Sequence, residues 1–191
     1  MGSPREPNPV KLFVALLCND KTLVAPVEAN LSDLFGAIDW ASDLLPWTVT
    51  SYYEEEMGPK LQRKFISFTP LIEPSKLADI KLITRDVEAK YLWSSGDKRG
   101  RNVNVDPGYL EGNKVVLAST KNTAHRLYLR AGIYGEVTLQ FRHGTFEPFA
   151  YTYPDYRWPE TLSFFLALRS VYLRQLRAGR QNAGARMLVD R

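Results

Sequence analysis

Eight side chains in this sequence have the types and placement that proton transfer and anion binding call for. His125, Asp155 and Glu56 are the acid–base candidates, because an imidazole changes charge near neutrality and a carboxylate beside it can hold or release the proton. Lys121, Arg126, Asp106, Tyr109 and Tyr153 are the candidates for holding a ligand. Lys121 lies four residues before His125 in a tight turn, which sets a cation near the imidazole. A carboxylate, an imidazole and a lysine at strand ends and turns suit a small phosphorylated or otherwise anionic ligand, with the proton passing through His125.

Each of these residues also has a plainer reading. His125, Leu127 and Leu129 alternate along one strand face, where a histidine caps the core by hydrogen bonding. Glu54-Glu55-Glu56 has the look of a solvated charge run. Asp106-Pro107-Gly108 and Tyr153-Pro154-Asp155-Tyr156 are turn sequences in which Asp bonds its own backbone. Tyr151, Tyr153 and Tyr156 read as wrapping the edge of the core with their hydroxyls outward, and His143 as solvated in a turn.

Absent motifs narrow the chemistry. The chain has no GxxxxGK[ST] phosphate loop, no GxGxxG, no GxSxG and no HExxH, so no cofactor or nucleotide fingerprint is present. Lys11-Leu12-Phe13-Val14-Ala15 resembles the opening strand of the two-histidine phosphoesterases, whose chemistry needs a facing pair of His-x-Thr/Ser motifs. His143-Gly144-Thr145 fits that pattern and His125-Arg126-Leu127 does not, which sets the reading aside.

Composition limits the partners. The 191 residues are 45% hydrophobic and 12% aromatic, enough for a packed core and against a disordered body. From Arg174 onward there are five Arg and one Asp, leaving 20 basic and 20 acidic residues before it: the body is neutral and the basicity is a tail. Tail arginines, Lys98-Arg99-Gly100-Arg101 and exposed aromatics offer RNA some charge and stacking, but no RNP-like strand accompanies them, so nucleic acid is the weaker partner. The single Cys18 has no disulfide or zinc partner and reads as a buried hydrophobe. With no apolar signal region and no stretch near the ~20 apolar residues that span a bilayer, a cytoplasmic protein with no membrane partner is expected.

The expected fold class is α+β: a ferredoxin-like split βαβ unit extended by an antiparallel β-meander and a C-terminal helix. Residues 10–17 are almost continuously apolar, the mark of a strand buried on both faces. Val27, Leu31, Leu34, Phe35 and Ile38 give one helical stripe, and Leu77, Ile80, Ile83 or Thr84, Val87 and Tyr91 a second. Runs at 47–53, 64–70 and 101–105 read as the further strands, with a polar loop at 94–100. Asp106-Pro107-Gly108-Tyr109 reads as the turn that opens the meander, whose strands centre on Val115, Leu127, Val137 and Phe149. A helix from Pro159 to Leu176 closes a single domain over 10–177, between a flexible lead-in at 1–9 and a frayed basic tail at 178–191.

In order, Pro9-Val10-Lys11-Leu12-Phe13-Val14, Leu34-Phe35-Gly36-Ala37-Ile38-Asp39, Glu56-Met57-Gly58, Asp106-Pro107-Gly108-Tyr109-Leu110, Leu117-Ala118-Ser119-Thr120-Lys121, His125-Arg126-Leu127-Tyr128-Leu129, Gly132-Ile133-Tyr134-Gly135-Glu136 and Thr152-Tyr153-Pro154-Asp155-Tyr156 span nearly the whole chain. Together they resemble the prokaryotic family catalogued as domain of unknown function 4416. The resemblance implies a similar single-domain protein in a bacterial or archaeal cytoplasm, and brings no established activity or ligand with it. The two functional expectations are therefore a small-molecule site between sheet and meander and, from another class, a binding or assembly module that meets protein or RNA through exposed tyrosines and the Arg-rich tail.

Overall fold

Strand β1 (Val10–Cys18) is buried along its whole length and is the axis of the fold. Its side chains alternate between two cores, as the period of a strand requires. Leu12, Val14, Leu16 and Cys18 meet α1 (Val24–Phe35) and α3 (Leu77–Ala89), while Phe13 and Ala15 meet α4 (Pro159–Val189) on the opposite face. One sheet thus lies between two helical layers. The computed structural model describes the backbone of residues 2–51 and 53–189, with side chains in that range except at 180 and 182–189.

The remaining strands are β2 (Ile38–Ala41), β3 (Leu45–Pro46), β4 (Gln62–Ile72), β5 (Leu92–Ser95), β6 (Lys98–Arg101), β7 (Val103–Glu111), β8 (Lys114–Ser119), β9 (Leu127–Arg130), β10 (Ile133–Arg142) and β11 (Thr145–Pro148). A single turn of helix, α2, covers Glu54–Met57. The main sheet runs β11–β10–β8–β7–β1–β4–β2, with β3 beside β4 and β9 beside β10, and its pairings are antiparallel. The fold is α+β with a large antiparallel sheet, as expected.

Several local expectations are corrected. Ile38 leaves the helix: α1 stops at Phe35, Gly36 takes φ 94°, and Ile38 pairs with Phe68 as part of β2. Among the described residues of 47–53 there is no strand, and only Leu45 and Pro46 ahead of them pair with β4. The polar loop at 94–100 is part of a hairpin, β5 against β6, turning at Gly96. Phe149 and Tyr151 lie in the turn after β11. Helix α4 continues past Leu176, since Gly179 lowers helix propensity without ending the helix. The frayed tail expected over 178–191 falls mostly outside the described side chains. On α3, Leu77, Ile80, Thr84 and Val87 are the buried stripe and Ile83 faces out. Ala131-Gly132 and His143-Gly144 are two-residue hairpin turns with positive φ at both positions, the geometry whose twist matches antiparallel strands.

The expected turn at Asp106-Pro107-Gly108 is instead the middle of β7, paired residue by residue with β1. On its other side β7 pairs with β8 only from Gly108 to Glu111. The next residue, Pro107, has no N–H to extend a ladder, so a proline fits where the second partner is lost. Beyond that point β7 and β8 part, and the sheet opens.

Gly108 marks the closest approach. A Cβ there would lie 2.5 Å from Phe13 Cζ and 2.5 Å from the Val116 carbonyl oxygen. Gly108→Ala is expected to cost about 1–3 kcal/mol through overpacking, seen as a lower urea midpoint. An unchanged midpoint would show that β1 and β8 yield at no cost.

Candidate functional site

The opening between β7 and β8 leads into a cleft of about 720 Å³. β7 contributes Asn104 and Asp106, two residues apart and so on one face. β8 and the loop after it contribute Leu117 to Lys121, and β4 contributes Arg63. Lys81, Arg85 and Glu88 of α3 recur at the spacing of one helix face. Trp47, Val49, Thr50, Tyr53 and Glu56 form another wall, and Tyr153, Pro154, Asp155 and Tyr156 close the end. The Asp155 turn is held from behind by Arg157, which donates to the carbonyls of Phe149, Ala150 and Thr152.

Six of the eight residues singled out in the sequence line this cleft: Glu56, Asp106, Lys121, Arg126, Tyr153 and Asp155. The other two are elsewhere. Tyr109 is half-buried and packs beside Leu77 and Val116 on the α3 face of the sheet. His125 precedes β9 instead of heading it, so it caps no core face; Leu127 and Leu129, which were to share that face, are 76% and 42% exposed. The His125 ring stacks on Tyr151 at 4.1 Å, and its Nε2 lies 3.1 Å from Glu136 Oε2.

Glu136 is the residue the sequence reading missed. It accepts from Arg126 Nε at 2.5 Å and from Thr138 Oγ1 at 3.2 Å. Arg126 in turn donates to Ser119 Oγ, the Lys121 carbonyl and the Tyr153 hydroxyl. The guanidinium expected to hold a ligand is therefore a brace tying β8, the loop after it, β10 and the Tyr153 turn together. A carboxylate inside the apolar run of β10 was the available signal, since buried charges are paired.

A second ion network lines the opposite wall. Arg101 bridges Glu56 at 2.9 Å and Glu88 at 3.0 Å, and Glu88 Oε1 accepts from the Val105 amide at 2.6 Å. Lys81 donates to Asp106 Oδ1 at 2.8 Å and to the Val105 carbonyl, while Asn104 holds Asp106 Oδ2. Arg63 lies 3.0 Å from Asp155, with its guanidinium 5.1 Å from the Trp47 ring. These pairs join residues far apart in the chain.

The environments drive two carboxyls in opposite directions. Burial works against ionising Asp106, but Lys81, Arg63 and Asn104 outweigh it and hold its carboxyl below the usual range. Burial dominates at Asp155 and raises its carboxyl despite Arg63, as it does at Glu88 despite Lys81. Such separation sets a carboxylate that gives up its proton readily, Asp106, near one that takes up a proton more readily, Asp155. The Tyr53 phenol is likewise pushed up to about 12 by burial.

A pH test follows from the sign. A depressed carboxyl stabilises the fold above its unfolded value of about 3.9, and that stability is lost as pH falls through the lower folded value. Asp106→Asn is therefore expected to flatten the acid limb of stability against pH between about pH 5 and 2. An acid limb as steep as the parent's would place the lost protons elsewhere. Asp155 acts with the opposite sign, since its raised carboxyl costs stability as pH climbs through the folded value.

An α+β protein whose antiparallel sheet splits to form a charged, aromatic-walled cleft is the class that fold and site define. The chain belongs to the family described as Domain of unknown function (DUF4416), whose model matches residues 8–172, so the resemblance carried by its motifs is shown. No curated protein and no solved structure matches the chain. Among the described residues no helix is long and apolar enough to cross a membrane.

Proposed function

We propose that the protein binds a small anionic, phosphorylated ligand in this cleft and that Asp155 is the group exchanging a proton with it. The observation that carries the reading is that six cations, Arg63, Lys81, Arg85, Arg101, Lys121 and Arg126, meet five carboxylates, Glu56, Glu88, Asp106, Glu136 and Asp155, in one concavity, a surplus of one positive charge. Arg85, exposed at the rim, forms no ion pair among the described residues, which leaves its charge available to an incoming anion. Low-dielectric aromatic walls strengthen such attraction. His125 then acts through Glu136 as an orienting group, and Glu56 acts by positioning Arg101.

A thermal-shift screen of sugar phosphates, nucleotides, organic acids and divalent cations tests this. An anion at a hundred times its dissociation constant adds about 2.7 kcal/mol to the folded state, roughly 5–10 °C for a chain of this size. The shift should shrink in Arg85→Ala. Protection by neutral compounds or cations alone would overturn the reading.

One observation favours the second reading, an assembly module. Strand β9 presents Leu127, Tyr128 and Leu129 to solvent. Against it, the hydroxyls of Tyr151 and Tyr153 are engaged internally, by the Val137 carbonyl and by Arg126. For the fold, we infer a ferredoxin-like split βαβ unit, supported by the strand order β7–β1–β4–β2 with α1 and α3 as its helices. A cytoplasmic setting in a prokaryote is likewise inferred, supported by the family resemblance and the one buried cysteine.

A further inference from the structure

The cleft lining includes buried polar atoms that have no hydrogen-bond partner among the described residues. Arg63 is 5% exposed and Tyr156 3%. Among the described residues Arg63 Nη1 and Tyr156 OH have no hydrogen-bond partner, and Asp155 Oδ2 has only its ion pair with Arg63. Arg63 Nε approaches Asp155 Oδ2 at 3.0 Å, so that oxygen has an ion-pair partner and keeps acceptor capacity for one further donor. Around them stand Trp47, Phe65 and Phe164, with the guanidinium 5.1 Å from Trp47 and 5.9 Å from Phe65 and the Tyr156 ring 5.3 Å from Phe65. In such surroundings an unpaired donor is costly, and a native structure that keeps two of them beside a carboxylate calls for a partner.

The pattern specifies that partner. A guanidinium N–H and a phenol O–H ask for acceptor oxygens, while an ionised carboxylate oxygen asks for a donor. Resting on the reading of the cleft as an anion site, we propose that its buried end is a subsite for a protonated oxyanion, namely hydrogen phosphate or the phosphate of a monoester that still carries a proton. Its unprotonated oxygens accept from Arg63 Nη1 and Tyr156 OH, and its P–OH donates to Asp155 Oδ2. The three protein atoms are out of solvent contact, so entry requires a side-chain adjustment. Asp106, held ionised by Lys81, lies within electrostatic reach of both Arg63 and Asp155 and favours an anion that brings its own proton.

Sulfate has the same shape as phosphate but no proton near neutrality, so it would set oxygen against the Asp155 carboxylate. Specificity comes from clashes and opposed charges set against the wrong ligand as well as from contacts to the right one. The test is calorimetric titration and thermal shift at pH 8 with inorganic phosphate and with sulfate. Phosphate is expected to bind on the order of a hundredfold more tightly than sulfate, because sulfate sets an oxygen with no proton against the Asp155 carboxylate. Asp155→Asn, whose amide donates to either anion, should bring the two within about threefold by removing that penalty. Tyr156→Phe should fold normally, since it removes a hydroxyl with no partner, yet bind phosphate roughly tenfold more weakly.

Equal binding of phosphate and sulfate by the parent protein would end the subsite while leaving an anion cleft intact. Phosphate binding untouched by Tyr156→Phe would likewise end it, by placing the ion elsewhere. If neither ion binds but an organic anion from the screen protects the protein, the subsite falls and the cleft reading stands; if nothing anionic protects, both fall. Should Asp155→Asn fail to fold, the parent's phosphate-to-sulfate ratio and Tyr156→Phe decide the matter.

Discussion

Replacing Glu136 by Ala is expected to lower stability by about 3–5 kcal/mol, the usual penalty for removing one partner of a buried ion pair. Glu136 is 2% exposed and Arg126 8%. The lost carboxylate would leave a guanidinium out of water with its 2.5 Å acceptor gone. The effect should spread into the cleft, because the same guanidinium holds Ser119, the Lys121 carbonyl and Tyr153. Glu136→Gln keeps an acceptor in place and should cost less. Urea denaturation measures both. A loss under about 1 kcal/mol in the alanine variant would mean that water reaches Arg126, and the brace described above would be wrong.

Phe165→Ala is expected to cost a similar 3–5 kcal/mol, for a different reason. Phe165 is fully buried and stands among Phe13 at 4.9 Å, Phe164 at 5.3 Å, Phe65 at 5.6 Å and Tyr156 at 5.8 Å. Truncation removes a large apolar side chain and leaves a cavity that rings fixed on β1, β4 and α4 cannot collapse to fill. The void would lie under Tyr156, next to Asp155 at the end of the cleft, so ligand protection should weaken together with stability. Substitution by Leu should recover part of both. Full stability in the alanine variant would show that the aromatic cluster is far looser than these separations indicate.

These two results bear on different parts of the site. Glu136 acts through a charge that fixes the loop after β8, and Phe165 through the apolar support beneath the Asp155 turn. The cleft is thus held by polar pairing on one wall and packing at its base, with β1 between the two cores. Lys11 shows the same economy on the α4 side of the sheet. It is fully buried in β1 and bonds Asp39, the Phe68 carbonyl and Gln175, which ties β2, β4 and α4 to the central strand.

Much of the framework was legible in the residues. An apolar run over 10–17 announces a strand covered on both faces, because only a central strand loses water on each side. The stripe Leu77, Ile80, Thr84 and Val87 announces α3, and Ala131-Gly132 and His143-Gly144 announce hairpins, because periodicity and turn conformation are local properties. Six of the eight chemically suggestive residues did meet in one cleft. Tertiary structure alone decided the rest. Asp106-Pro107-Gly108 has turn chemistry, yet pairing with β1 holds it as a strand, and Pro107 sits where the ladder to β8 ends. The partnerships of Arg63 with Asp155, Lys81 with Asp106 and Arg126 with Glu136 follow from strand order and from where helices cross the sheet. Local sequence carries helix stripes, strand alternation and turns; which charges meet depends on how distant segments pack, and no spacing along the chain records that.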